Sequence, residues 1–192
     1  RITGDKGYFD TRIVYIAESG PEMKRKYRLA IMDQDGENHQ YLTSGNSMVL
    51  TPRLSPDGTK IAYVDFGTNG NSPTLHIYDL QTGQSYSLGD AFAGQKISPR
   101  FSPKGDHIIL SSAKGGAASL YKLNLGSREP QRLTSSAASI DVSPCYSPDG
   151  SKIVYISDRG GKPHIYVKDA MSSGEGTRIT FKPGLYDDPV WS

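Results

Sequence analysis

The sequence predicts an all-β chain built from four-stranded antiparallel propeller blades. Three observations carry that reading: a repeated turn motif, its spacing, and a composition rich in turn residues. Leu54-Ser55-Pro56-Asp57-Gly58 recurs as Phe101-Ser102-Pro103-Lys104-Gly105 and as Tyr146-Ser147-Pro148-Asp149-Gly150. A further copy opens at Val190-Trp191-Ser192. The repeated serines stand at 55, 102, 147 and 192, so the period is 47, 45 and 45 residues. A period in the mid-forties with four strands per unit is the signature of a propeller. With Gly 21 and Pro 12 in 192 residues, the chain suits short strands and tight turns better than long helices.

Within one unit each element follows from its residues. Proline at the second turn position presets φ for a type I turn, and glycine supplies the positive φ at the reversal. Ile61, Ala62, Tyr63 and Val64 follow as a strand apolar on both faces, as a strand packed between two neighbouring blades must be. Leu75–Leu80 is the third strand, residues 81–84 a hairpin turn, and Ser85–Leu88 a short polar outer strand. The next two units repeat this with Ser119–Leu125 and Gln131–Thr134, then His164–Asp169 and Thr177–Thr180. The first stretch lacks the Ser-Pro-Asp-Gly turn but keeps the later strands, Thr11–Ile16, Arg28–Asp33 and Gln40–Thr43. The expected division is a first blade over 1–45 without its inner strand, then blades over 46–90, 91–136 and 137–183. Residues 184–192 are expected to supply the inner strand of a fifth.

Such a chain could close as a four-bladed ring, or be part of a larger one. Two open blade faces of roughly 500 Å² each, at about 25 cal/mol per Å², would cost about 25 kcal/mol, more than typical domain stability. The expectation is therefore a portion of a larger ring, in a chain that starts at Arg1 as an excised or processed piece.

Composition narrows the function. Lys+Arg 22 against Asp+Glu 20 gives a formal charge of +2, too even to indicate nucleic acid or an anionic membrane as partner. No apolar run is long enough to span a bilayer as a helix. One cysteine, Cys145, excludes an intrachain disulfide framework and is expected to be a buried small hydrophobe. The four histidines fall at no metal-ligand spacing, and no Gly-x-Ser-x-Gly elbow presents a nucleophile. Asp33-Gln34-Asp35-Gly36 lacks the downstream acidic ligand of a calcium loop and reads as a hairpin turn. Asp57 and Asp149 are expected to cap their turns, and Lys104 in the third copy shows that the turn tolerates another residue. Asp141, Asp187 and Asp188 could face the channel, where carboxylates attract a hard cation; a hydrated channel without metal is preferred. No catalytic residue, metal or cofactor is expected.

Several segments resemble one family. Ile2-Thr3-Gly4 and Gly7-Tyr8-Phe9-Asp10-Thr11-Arg12-Ile13-Val14-Tyr15 are similar to the propeller opening of the TolB family of the Tol–Pal envelope system. Pro52–Gly58, Gln131–Thr134 and Ser157–Tyr166 look like that family's blade repeats. The resemblance covers nearly the whole chain, and the turnless first blade is its most specific part. It implies a six-bladed propeller preceded by a small α/β domain and located in the periplasm. It also implies binding of the peptidoglycan-associated lipoprotein Pal, in support of outer-membrane integrity and cell division. Inner-membrane Tol proteins would engage the N-terminal part that this chain lacks, and group A colicins would capture the Pal-binding surface. The Ser-Pro-Asp-Gly repeat also occurs in prolyl-oligopeptidase-like enzymes, so the alternative is the substrate-gating propeller of a serine peptidase.

Segments leading into the inner strands line one mouth of a propeller channel, here residues 46–51, 94–98, 139–143 and 184–188. The family docks its lipoprotein there. The resemblance therefore nominates Gln95, Lys96, Ser98, Val142 and Ser143, with Asp141, Tyr186 and Asp187 as neighbours.

Overall fold

The computed structural model describes residues 11–68, 73–89, 94–135, 138–172 and 174–191. The segments Ile2–Gly4 and Gly7–Asp10 and the fourth repeated serine, Ser192, lie outside them. Fifteen strands form among the described residues. They are β1 (Arg12–Ser19), β2 (Lys26–Asp33), β3 (Gln40–Tyr41), β4 (Val49–Leu54), β5 (Lys60–Asp65), β6 (Thr74–Asp79) and β7 (Gln84–Ser87). There follow β8 (Gln95–Phe101), β9 (His107–Lys114), β10 (Ala117–Asn124), β11 (Pro130–Arg132), β12 (Asp141–Tyr146), β13 (Lys152–Ser157), β14 (His164–Asp169) and β15 (Thr177–Arg178). They make three four-stranded antiparallel meanders, β4–β7, β8–β11 and β12–β15, and one three-stranded sheet, β1–β3. The all-β propeller architecture read from the repeat is the architecture observed. A single 3₁₀ turn, Glu22–Lys24, is the one helical element among the described residues, and none is long and apolar enough to cross a membrane.

The Ser-Pro-x-Gly turn explains why the first two strands of each blade pair. In blade 2, Ser55 N donates to Lys60 O at 2.8 Å and Gly58 N to Ser55 O at 2.8 Å, with Gly58 at φ 69. Ser55 Oγ donates to Asp57 Oδ1 at 2.5 Å and accepts Lys60 N–H at 2.9 Å, while Asp57 also accepts from Thr59 N at 3.0 Å. Ser147 and Asp149 repeat these bonds. Blade 3 has Lys104 in place of the aspartate, and there Asp106, two residues later, accepts the Ser102 hydroxyl at 2.6 Å. The turn tolerates Lys104 because the carboxylate has moved, not because it is dispensable.

These bonds hold the three carboxyls at about 2, against an ordinary 3.8. The serine hydroxyl is the leading cause in each, followed by Thr59 N–H at Asp57, His107 at Asp106 and Ser151 N–H at Asp149. A carboxyl depressed in the folded state stabilises it above the unfolded value and loses that contribution as pH falls through the folded one. The melting temperature should hold down to about pH 4 and fall between pH 4 and 2. In Asp57→Asn/Asp106→Asn/Asp149→Asn that fall should flatten; calorimetric melts across this range that superimpose on wild type would show the turns contribute nothing to acid stability.

Blades pack through apolar seams. Leu29 and Ile31 of blade 1 meet Val49, Ile61 and Tyr63 of blade 2. On the opposite face of blade 2, Ala62, Leu75, Ile77 and Leu88 meet Ile108, Leu110 and Leu123 of blade 3. Ile109, Leu120 and Leu133 then meet Tyr146, Ile153, Tyr155, Tyr166 and Ala170 of blade 4. Alternate residues of β5 thus serve two seams, which is why that strand is apolar on both faces. Just past three of the four outer strands, β3, β11 and β15, a threonine closes the ladder: Thr43, Thr134 and Thr180 accept N–H bonds from Leu29, Leu120 and Ile165 at 2.9, 3.0 and 2.9 Å. Residues 184–191, expected as an inner strand, form no ladder. A strand exists by hydrogen bonding to a neighbour, and no described segment pairs with this one; Leu185 is 100% exposed and Val190 67%.

Candidate protein interface and channel

The innermost strands β4, β8 and β12 share an irregularity. Pairing of β4 with β5 shifts between Leu50 and Arg53, that of β8 with β9 between Ile97 and Arg100, and that of β12 with β13 between Val142 and Cys145. Each shift is a bulge of two residues, Thr51-Pro52, Ser98-Pro99 and Ser143-Pro144. The residue before each proline has positive φ, at 51, 52 and 51. Asp188, before Pro189, has φ 38, so the geometry occurs four times, once outside any ladder. Proline has no N–H to give the ladder, and a non-glycine residue at positive φ is strained. Bulges of this kind break pairing and re-aim side chains, and they gather beside functional sites.

The nominated residues separate around these bulges. Gln95 and Asp187 are exposed; Ser98, Val142, Ser143 and Tyr186 are half-buried. Tyr186 stacks its ring 5.2 Å from that of His164 and donates its hydroxyl to Lys182 O at 2.8 Å. Lys96 is buried at 4% exposure. Asp141 is 0% exposed, and its two oxygens accept from Arg159 Nη2 at 3.0 and 2.9 Å. Asp141 is therefore a structural ion-pair partner and is not presented to a docking protein. Its place is that of Val49 in blade 2 and Lys96 in blade 3, two residues before the strained residue. There the strand's alternation turns the side chain into the blade.

Asp141 is one part of a cluster. Arg159 Nε donates to Ser157 Oγ at 2.8 Å, its guanidinium lies over the rings of Tyr155 and Tyr166 at 5.6 and 5.1 Å, and it pairs with Glu175. Nearby, buried Lys168 donates Nζ to Leu133 O at 2.5 Å and to Ser172 O at 2.8 Å. Burial lowers that lysine's pKa. Of the three aspartates considered for a cation, Asp141 is engaged by Arg159 and Asp188 by arginines in the channel, while exposed Asp187 accepts the backbone N–H of Asp188 at 2.8 Å.

Those arginines, Arg53 and Arg100, follow the bulge prolines at equivalent positions of β4 and β8. Arg100 Nη2 donates to Asp188 Oδ1 at 3.0 Å, and Arg53 Nη2 stands 4.0 Å from Asp188 Oδ2. Cys145 occupies the same position in β12; it is half-buried rather than buried, because the bulge turns this position toward the channel. Arg53, Arg100 and Arg159 were not singled out from the sequence, and Asp188 was considered there for a cation and not as an arginine's partner. The one available signal was Pro-Arg at the same point of two repeats, Pro52-Arg53 and Pro99-Arg100.

The TolB beta propeller domain family, PD40, matches residues 1–192. The chain is 46% identical over 128 residues to the Tol-Pal system protein TolB of Gluconobacter oxydans (strain 621H), covering 67% of this chain and 28% of that protein. It is 48% identical over 117 residues to the Tol-Pal system protein TolB of Rickettsia bellii (strain OSU 85-389), covering 61% of this chain and 26% of that one. The crystal structure of TolB from Acinetobacter baumannii superimposes with a TM-score of 0.75 at 33% identity, over 94% of this chain and 44% of that one. The chain therefore spans little more than a quarter of the length of the two curated relatives.

Proposed function

The chain belongs to the TolB β-propeller family, and from that premise we propose that it is a non-enzymatic, protein-binding propeller of a Tol–Pal system. Its partner on this reading is the lipoprotein Pal, in the periplasm, with inner-membrane Tol proteins and colicins as further partners of the whole protein. The observation that carries the reading is the bulge repeated at Thr51, Ser98 and Ser143. Three strained, half-buried polar residues at one level of the channel hold backbone groups out of the ladders and fix small hydroxyl side chains at a mouth. Rigid strands hold such a surface in place with little entropy left to lose on docking. Gln95, Ser98, Val142, Ser143, Tyr186 and Asp187 form the proposed contact set, and Asp141 and Lys96 support it from within. A role in outer-membrane integrity and cell division follows from that partner.

Calorimetric titration of the full-length protein with the soluble domain of its own Pal tests this. Gln95→Ala/Ser98→Ala/Ser143→Ala should weaken binding at least about tenfold, a loss of roughly 1.4 kcal/mol. Unchanged affinity in the triple variant would keep the function and discard the surface. A folded protein that binds no Pal would favour the substrate-gating propeller of a peptidase instead.

A further inference from the structure

Arg53 and Arg100 project into a channel cavity of about 330 Å³ walled by Phe101, Cys145, Tyr146 and Trp191. Their bonds are unequal. Arg100 is engaged by Asp188, whereas Arg53 donates Nη1 to its neighbour Pro52 O at 2.9 Å. Its Nε is buried without an acceptor, and its Nη2 is 4.0 Å from the Asp188 carboxylate. Among the described residues, two guanidiniums thus share one carboxylate, itself 57% exposed, so their paired charge is only half compensated there. Burial and the charge of Arg100 hold Arg53 below the ordinary arginine value, with Asp188 acting the other way. A second anion would relieve both the repulsion and the unmade bond. The neighbouring hydroxyls offer no competing partner for the arginines, since Ser102 and Ser147 are committed to Asp106 and Asp149.

We propose that Arg53 and Arg100 form a carboxylate-binding site in the channel, with Asp188 as its resident ligand and the open edge of Arg53 as the place of a second carboxylate. The single bond from Arg100 to Asp188 is the internal example of the pairing, and a free guanidinium edge can go further and match both oxygens of a carboxylate. A free dicarboxylate and an acidic side chain of a polypeptide both carry that group. The site does not depend on Pal docking, and no lipoprotein enters its test, so failure of either reading leaves the other standing.

The test is titration of the full-length protein with malonate, with an acetylated glutamate amide as surrogate for a side chain, and with inorganic phosphate. Heat is one readout; the other is fluorescence of Trp191, isolated by subtracting a Trp191→Phe protein. Saturable binding of malonate or of the glutamate surrogate is expected, and the tighter of the two identifies the source. Arg53→Gln and Arg100→Gln should each weaken it at least about tenfold. Asp188→Asn, which removes the resident competitor, should tighten it several-fold. Arg53→Lys and Arg100→Lys keep the charge but lose the planar edge, so a folded lysine variant should also bind weakly. The proposal is overturned if neither carboxylate binds, if the arginine variants bind like wild type, or if phosphate binds as tightly as malonate.

Discussion

Asp141→Ala should be among the most damaging single substitutions in this chain, lowering unfolding free energy by about 3–5 kcal/mol. The carboxylate is wholly buried and accepts two bonds from Arg159, while Ser139 Oγ donates to it at 3.3 Å. Removing it leaves an arginine whose side chain is 16% exposed and lies over Tyr155 and Tyr166, with the half-exposed Glu175 as its remaining counter-ion among the described residues. A stranded buried charge costs far more than the pair contributed when intact. For the same reason Asp141→Ala/Arg159→Met should recover most of the loss, since a linear apolar side chain fills the space over the two rings without a charge to solvate. Urea unfolding with an unchanged denaturant slope is the measurement. A loss below about 1 kcal/mol for Asp141→Ala would mean that Glu175 and solvent suffice for Arg159.

Tyr155→Ala should cost about as much, roughly 3–5 kcal/mol, through a different cause. Tyr155 is fully buried at the seam of blades 3 and 4, its ring 5.9 Å from that of Tyr166. Its hydroxyl accepts Gly176 N–H at 3.1 Å, and burial raises its pKa. Truncation opens a cavity between two blades that already touch across a rigid sheet and cannot collapse into it. Tyr155→Phe separates the two contributions: it keeps the ring, strands the Gly176 N–H, and should cost about 1–2 kcal/mol. Gly176 cannot adapt by substitution, because a Cβ there would stand 2.6 Å from the Tyr155 hydroxyl and 2.9 Å from Val167 O. Arg159 rests on Tyr155, so the Asp141 and Tyr155 effects should fall short of additive when combined. Full additivity in thermal and urea unfolding would separate the ion pair from the seam.

The blades were legible in the sequence because their causes are local and repeated. Pro56, Gly58 and their counterparts set each turn, and the two-faced apolar run of Ile61–Val64 announces a strand between neighbours. The bulges were not legible. Threonine, serine or aspartate before proline gives no local sign of positive φ, since such residues prefer extended backbone there. At Thr51, Ser98 and Ser143 the geometry accompanies a break in the ladder, and at Asp188 it occurs outside one. The role of Asp106 was hidden for a related reason: spacing within the repeat marks Lys104 as the changed residue, whereas the side chain that restores the bond sits two places on. Asp141 looked like a mouth residue because it adjoins Val142 and Ser143, yet strand alternation sends it inward to Arg159. Least legible was the meeting of Arg100 with Asp188, 88 residues apart. It depends on the curvature of successive blades about an axis, which no window of sequence contains.

The seams differ in how their blades are fastened, and this sets how the ring can deform. Blades 2 and 3 meet through an apolar cluster, a contact that has no directional requirement, with Arg128 lying over the Tyr86 ring at 5.9 Å. Blades 3 and 4 are stitched as well. Ala118 bridges to Ile140 in parallel, with Ala118 N donating to Ser139 O at 3.1 Å, and Lys168 reaches across to Leu133 O. Those bonds have fixed lengths and directions, so the two blades behave as one stiff plate. Any breathing of the channel should then fall at the other seams: Arg100 rides on the plate, Arg53 lies across the seam of blades 2 and 3, and the width between the two guanidiniums would gauge how far the ring opens.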